Sequence, residues 1–335
     1  MTTAAVPALD HEPDARPVAR FSPLSLVCVP LGVASVVSLL GWVFGVSSFS
    51  TLFWLLSAPA LAATLVLGAL STRRRGWTHL HAVLVCGTVG GLLGTVGYDL
   101  FRIPFVAAGF RLFAPIDSYG VLLLDAQHSS PLTGFAGWAY HVSNGVGFGI
   151  AYAAAALGRR ARWGVAWAMV LETATVVTPF ADAYGLRGRW VPIAIAYGAH
   201  VPYGLAVGWA AQRGQGLVDD LRTVTRAPTT KLLAAVAAGL LLWHQPWTGL
   251  DIGGASETTL RDGRFHPEWV RVAPGECAVV HNADAADHEL VVEGRGTSIA
   301  AGTTGALCFD DGGAHRVRVG ERAYSGGFVI VDEEA

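Results

Sequence analysis

The sequence predicts a polytopic α-helical membrane bundle of seven spans followed by a small all-β sandwich. Three observations predict it. Seven apolar runs, most of them of bilayer-crossing length, fill residues 22–250. Charged residues make up 14% of the chain and hydrophobic ones 52%, whereas a soluble domain carries roughly 25% charge. Residues 251–335 then change texture, to short β-branched runs separated by Gly, Asp and Asn turns.

Charge divides the chain at the same place. Residues 1–250 hold 16 Lys+Arg against 10 Asp+Glu, a net of +6, while residues 251–335 hold 7 against 15, a net of −8. Two regions in different solvents are expected, with residues 1–21 a polar N-terminal segment, 22–250 the membrane domain and 251–335 a separate domain. No block of like charge and no basic, aromatic groove is present, so nucleic acid is excluded as a partner. The lipid bilayer is the expected one.

The spans are read at 22–45, 50–70, 78–98, 132–157, 163–183, 190–211 and 230–245. The first follows a polar lead and lacks a small-residue cleavage box, so it reads as an uncleaved anchor. The apolar stretch IPFVAAGFRLFAP at 103–115 is too brief to span and contains Arg111, which makes it interfacial or re-entrant. Positions 118, 185 and 255 fall between spans.

Arginine placement orients the bundle. With the N-terminus inside, cytoplasmic loops carry 12 basic residues, among them Arg73–Arg75 and Arg159, Arg160 and Arg162, and the opposite side carries four, Arg102, Arg111, Arg187 and Arg189. Positive residues on short loops stay in the cytoplasm. The expectation is a multi-pass protein of a bacterial-type plasma membrane, with a cytoplasmic N-terminus and an extracytoplasmic C-terminal domain. Four-residue glycine spacings at Gly87 and Gly91, Gly90 and Gly94, and Gly145 and Gly149 permit close helix contact.

The tail contains FHPEWVRVAPGECAVVHN, NADAADHELVV, AAGTTGALCFDDGGAH and GGFVIV in that order. This series resembles the cupredoxin family over nearly the whole of 255–335. The resemblance implies a β-sandwich, and it puts His288 at the family's first copper-ligand position. Val319 stands where the thiolate would be and Ser325 near the expected Met, with no His between them. A blue-copper centre needs the thiolate and two imidazoles, so the likeness implies a fold rather than electron transfer. In that fold Cys308 lies on a strand beside the one bearing Cys277. A disulfide between them, or two buried thiols, is the expectation.

Polar residues at membrane depth carry the functional reading. His141 lies nine residues into its span, His200 ten residues beyond Trp190, and Glu172 nine residues from the inner end of its helix. At 1.5 Å per residue each is roughly 14 Å deep, near the middle of a core about 30 Å thick. An ionisable group there costs at least about 2.5 kcal/mol and needs company. Asn144 follows His141 by one turn and Tyr203 follows His200, as outer partners.

Two imidazoles and a carboxylate match a transition-metal ligand set, so His141, Glu172, His200 and, outside, His288 are candidate metal residues, with copper favoured by the tail's likeness and iron or haem as alternatives. The same trio could pass protons or a small solute, or only lock the bundle as an interhelical hydrogen-bond cluster. A further alternative is a scaffold whose sandwich binds a protein partner. No P-loop, dinucleotide fingerprint, nucleophile elbow or HExxH motif offers soluble-enzyme chemistry.

Overall fold

The computed structural model describes residues 22–107, 114–178, 181, 189–224, 256–320 and 325–331. A helical N-terminal part is followed by one eight-stranded sheet. After a 3-10 turn at Pro23–Val27, the helices are α1 (Cys28–Val43), α2 (Phe49–Arg73), α3 (Thr78–Ala107), α4 (Ala114–Leu123), α5 (Pro131–Ala156), α6 (Arg162–Val176), α7 (Trp190–Arg213) and α8 (Gln215–Val224).

Local chemistry sets the helix starts. Ser48 accepts a hydrogen bond from the Thr51 amide at the start of α2. Ser130 and Thr133 form a reciprocal capping box at the start of α5, with Pro131 in the first turn where a missing N–H costs nothing. A single π-helical turn at Phe53–Ser57 lies inside α2.

Four of these helices, among the described residues, are long and apolar enough to cross a membrane: Pro23–Val43, Phe49–Arg73, Thr78–Phe105 and Trp190–Arg213. Seven were expected. The Pro131–Ala156 helix is 26 residues long, but its Gly, Tyr, His, Ser and Asn lower its hydropathy, and its small residues are buried against neighbours. The Arg162–Val176 helix has 15 residues, about 22 Å, short of a full crossing. The expected span at 230–245 lies outside the described residues. On α2, Trp54, Leu55, Leu65 and Val66 are all more than half exposed, an apolar face that water would not tolerate and lipid would cover.

The stretch at 103–115 is not one interfacial piece. Residues 103–107 prolong α3, which runs for 30 residues through Pro104, and α4 begins at Ala114. Position 118 is not in a loop either: Ser118 lies in α4 and is fully buried.

Glycine decides how closely the central helices meet. A Cβ on Gly91 would stand 2.5 Å from the Gly145 carbonyl oxygen, and one on Gly149 would stand 2.4 Å from that of Gly87. Gly90 and Gly94 turn the other way, toward Val207 and Tyr203. α3 is therefore held between α5 and α7 at backbone contact distance.

The strands are β1 (Glu257–Arg261), β2 (Arg264–Val272), β3 (Cys277–Asn282), β4 (His288–Val292), β5 (Arg295–Ile299), β6 (Thr304–Cys308), β7 (Gly313–Val319) and β8 (Gly326–Val331). Their order is β5-β4-β7-β8-β2-β1-β3-β6, with β1·β3 and β2·β8 parallel and the other pairs antiparallel. The sheet folds over a core that includes Leu260, Phe265, Val280, Leu290, Val317 and Val329, giving a nearly closed barrel or sandwich. Cys277 and Cys308 face each other across β3 and β6 and form a disulfide, which fastens the terminal strand of the sheet.

The sandwich shares a core with the bundle. Phe328 packs with Leu39, Trp42, Phe49, Tyr119 and Tyr140. The Arg264 guanidinium donates to the Val43 and Trp42 carbonyls at the end of α1 and lies over the Trp42 ring, placing a cation against the negative end of the helix. Trp269 Nε1–H donates to Ser118 Oγ at 2.6 Å. The connector between α4 and α5 adds to β7: the Arg316 amide donates to the Gln127 carbonyl and the Ser129 amide to the Ala314 carbonyl.

Candidate functional site

The α3, α5, α6 and α7 helices bring the expected polar residues to one cavity of about 380 Å³. His141 and Asn144 from α5, Glu172 from α6, and His200 and Tyr203 from α7 all line it, together with Tyr98 and Arg102 from α3. Val36, Leu39, Leu171 and Ile195 supply apolar wall. Most of its remaining surface is apolar as well, the usual make-up of a small-molecule site with a few convergent polar groups.

The polar groups form two pairs. His200 Nδ1 lies 2.8 Å from the Ala196 carbonyl oxygen and 3.4 Å from Glu172 Oε2. With two acceptors facing it, Nδ1 carries the proton, which leaves Nε2 with its lone pair. His141 Nε2 lies 3.1 Å from Asp99 Oδ1 and 3.2 Å from Asp99 Oδ2. Asp99 also meets Arg102 at 3.5 Å, and the Arg102 guanidinium lies 4.9 Å over the Tyr98 ring.

Tyr98 separates the pairs. Its ring centroid is 5.0 Å from that of His200, edge-on, and 6.3 Å from that of His141. Tyr203 donates from its hydroxyl to the Gly145 carbonyl at 2.8 Å, so it ties α7 to α5.

Among the described residues, Glu172 Oε1 and Asn144 Oδ1 in the site are both buried without a hydrogen-bond partner. Glu172 as a whole is only 3% exposed. A buried carboxylate oxygen left unpaired costs more than a hydrogen bond contributes, so this wall of the cavity presents acceptors that a donor could satisfy.

Among the described residues, no group of three or more His, Cys, Asp or Glu side chains is placed to hold a metal ion. His141, Glu172 and His200 share a cavity, but His141 turns its Nε2 to Asp99. The fourth candidate is elsewhere. His288, on β4, donates from Nε2 to Asp284 at 2.7 Å, and Asp284 in turn accepts from the Asp262 and Gly263 amides. His288 thereby braces the β1–β2 turn. At the two other positions compared with a copper site, Ser325 Oγ accepts from the Val319 amide and donates to its carbonyl.

The Asp99–His141 bond was not legible in the sequence because the third span was ended at residue 98, whereas α3 continues to Ala107 and carries Asp99 within the bundle. Outside the cavity, His79 and His81 meet Ser25 Oγ at 2.8 Å and Ser71 Oγ at 3.0 Å. Thr175, three residues beyond Glu172 on α6, also lines the cavity.

A bundle of apolar helices around a polar cavity, joined to a β-sandwich, defines the class. No family model, curated protein or solved structure matches the chain.

Proposed function

We propose that the protein is a membrane-embedded solute-binding protein of the carrier kind, which takes a small hydrogen-bond-donating solute into the cavity between α3, α5, α6 and α7. The observation that carries this reading is Glu172 Oε1, buried and without a hydrogen-bond partner in the wall of a cavity of ligand size. The two imidazole–carboxylate pairs supply groups that can take up or give back a proton as the solute enters. The arginine bias supports an inside N-terminus and an extracytoplasmic sandwich in a plasma membrane. The sandwich then sits over the bundle end that contributes Leu39 and Tyr119 to the cavity wall.

The test uses purified full-length protein in nanodiscs and three probes on one frame: benzylammonium, benzyl alcohol and benzoate. At least one should raise the melting temperature of the wild type, and none should do so in Ala174→Trp, which fills the cavity from α6. No shift with any probe, or an equal shift in the filled variant, sinks the reading.

A transition metal makes a different demand on the same residues. Copper, iron or haem would have to draw His141 off Asp99 to join His200 and Glu172. Metal analysis and visible absorption of the purified protein test it: one equivalent per chain, lost in His141→Ala and His200→Ala, supports a metal protein, and a colourless, metal-free wild type rejects it.

A further inference from the structure

We infer that the solute is an organic monocation, a small primary ammonium on an apolar frame, with its N–H groups directed at Glu172. This rests on the cavity being a solute site. Charge and shape both point to it.

The described charged side chains in and directly behind the cavity wall are Glu172, Arg102 and Asp99, two carboxylates against one guanidinium when the imidazoles are neutral. Arg102 is balanced where it stands, 3.5 Å from Asp99 and over the Tyr98 ring. Glu172 comes from a different helix; its ion-pair neighbour among the described residues is the His200 imidazole at 3.4 Å, with Arg102 acting on it only from farther across the cavity. A carboxylate in a low-dielectric site demands a compensating positive charge. The unpartnered Oε1 marks where that charge is received.

An anion would meet the Glu172 carboxylate at close range, and a neutral alcohol would bring it a hydrogen bond but no charge. An ammonium provides both the charge and the hydrogen bond, the stronger class of contact. The remainder of the site suits an apolar body: Leu39, Ile116, Phe148 and Leu171 form wall, and Tyr119 adds an aromatic surface on which cations and apolar frames both rest.

The experiment is calorimetric titration of the same three probes into wild type, Glu172→Gln and Ala174→Trp in nanodiscs. Glu172→Gln keeps the shape of the side chain, and an unchanged melting temperature in the absence of probe shows that it folds. The expected result is that benzylammonium binds the wild type at least tenfold more tightly than benzyl alcohol or benzoate, and that Glu172→Gln weakens it about tenfold or more, as removal of a charged hydrogen-bond partner does. If benzyl alcohol or benzoate binds as well as benzylammonium, or if Glu172→Gln leaves benzylammonium unaffected, the cation inference fails while the cavity remains a solute site. If no probe binds the wild type in a way that Ala174→Trp abolishes, both fail together.

Discussion

Asp99 and His141 meet across α3 and α5, with His141 Nε2 3.1 Å from Asp99 Oδ1, and the same carboxylate holds Arg102. One acidic side chain thus satisfies two basic ones at a depth where none could remain alone. Asp99→Ala removes this acceptor from His141 and from Arg102, and the loss of one partner from a buried ion pair costs about 3 kcal/mol or more. Thermal melting in nanodiscs should show that loss. In the Asp99→Ala, His141→Ala double variant the two effects should be clearly non-additive; simple additivity would show that the pair is not coupled.

Glu268 gives the docked sandwich a pH dependence. It is 2% exposed, lies 3.7 Å from Arg264, and burial pushes its carboxyl up to about 7 against the opposing effect of Arg264. A carboxyl raised on folding binds its proton more tightly in the folded state, so its contribution is fully present below the unfolded value near 4.5 and is lost as pH rises through about 7. Between those limits the wild type should lose up to about 3 kcal/mol from this group. Melting curves of wild type and Glu268→Gln across that window check it: the variant should be flatter, and equal slopes would remove Glu268 as the cause.

Arg264 is the strap between the two halves. Its guanidinium caps the end of α1 and faces Glu268. Arg264→Met keeps most of the side-chain volume and removes both contacts, at an expected cost of about 2 kcal/mol. Hydrogen exchange should rise at the end of α1 and along β2 together. A rise confined to the sandwich would mean that the two halves are not held through this residue.

The Cys277–Cys308 disulfide closes a loop with a sequence separation of 31. Constraint of the unfolded chain by a loop of that length stabilises by about 3–4 kcal/mol. Cys277→Ser with Cys308→Ser should lower the unfolding free energy of the sandwich by that amount, read from the denaturant midpoint and slope, whereas Cys28 and Cys86, buried in the bundle, should resist alkylation until it unfolds.

Much of this arrangement was legible in the chain. The glycine spacings at Gly87, Gly91, Gly145 and Gly149 foretold backbone contact, because no other residue leaves room for a neighbouring helix. The matching depth of His141, Glu172 and His200 foretold one cavity, since helical rise converts sequence distance to height directly. Their pairing was not legible. Depth says nothing of rotation about the helix axis, and the true partner of His141 lay one residue beyond a span boundary drawn from hydropathy alone. The number of spans was equally hard to read, because α5 takes its polar and small residues into the interior, where hydropathy does not report burial. Docking of the sandwich through Arg264, Trp269 and Phe328 depends on side chains that in sequence look like ordinary strand residues.

Nitrogen-15 solid-state NMR of histidine-labelled protein in lipid bilayers bears most directly on the two pairs facing one cavity. The His141 and His200 signals would be assigned by their loss in His141→Gln and His200→Gln. His200 should be protonated at Nδ1 and shift in Glu172→Gln, and His141 should shift in Asp99→Asn, each without response to the other substitution. Imidazole signals that resemble free histidine and ignore both substitutions would contradict the paired cavity.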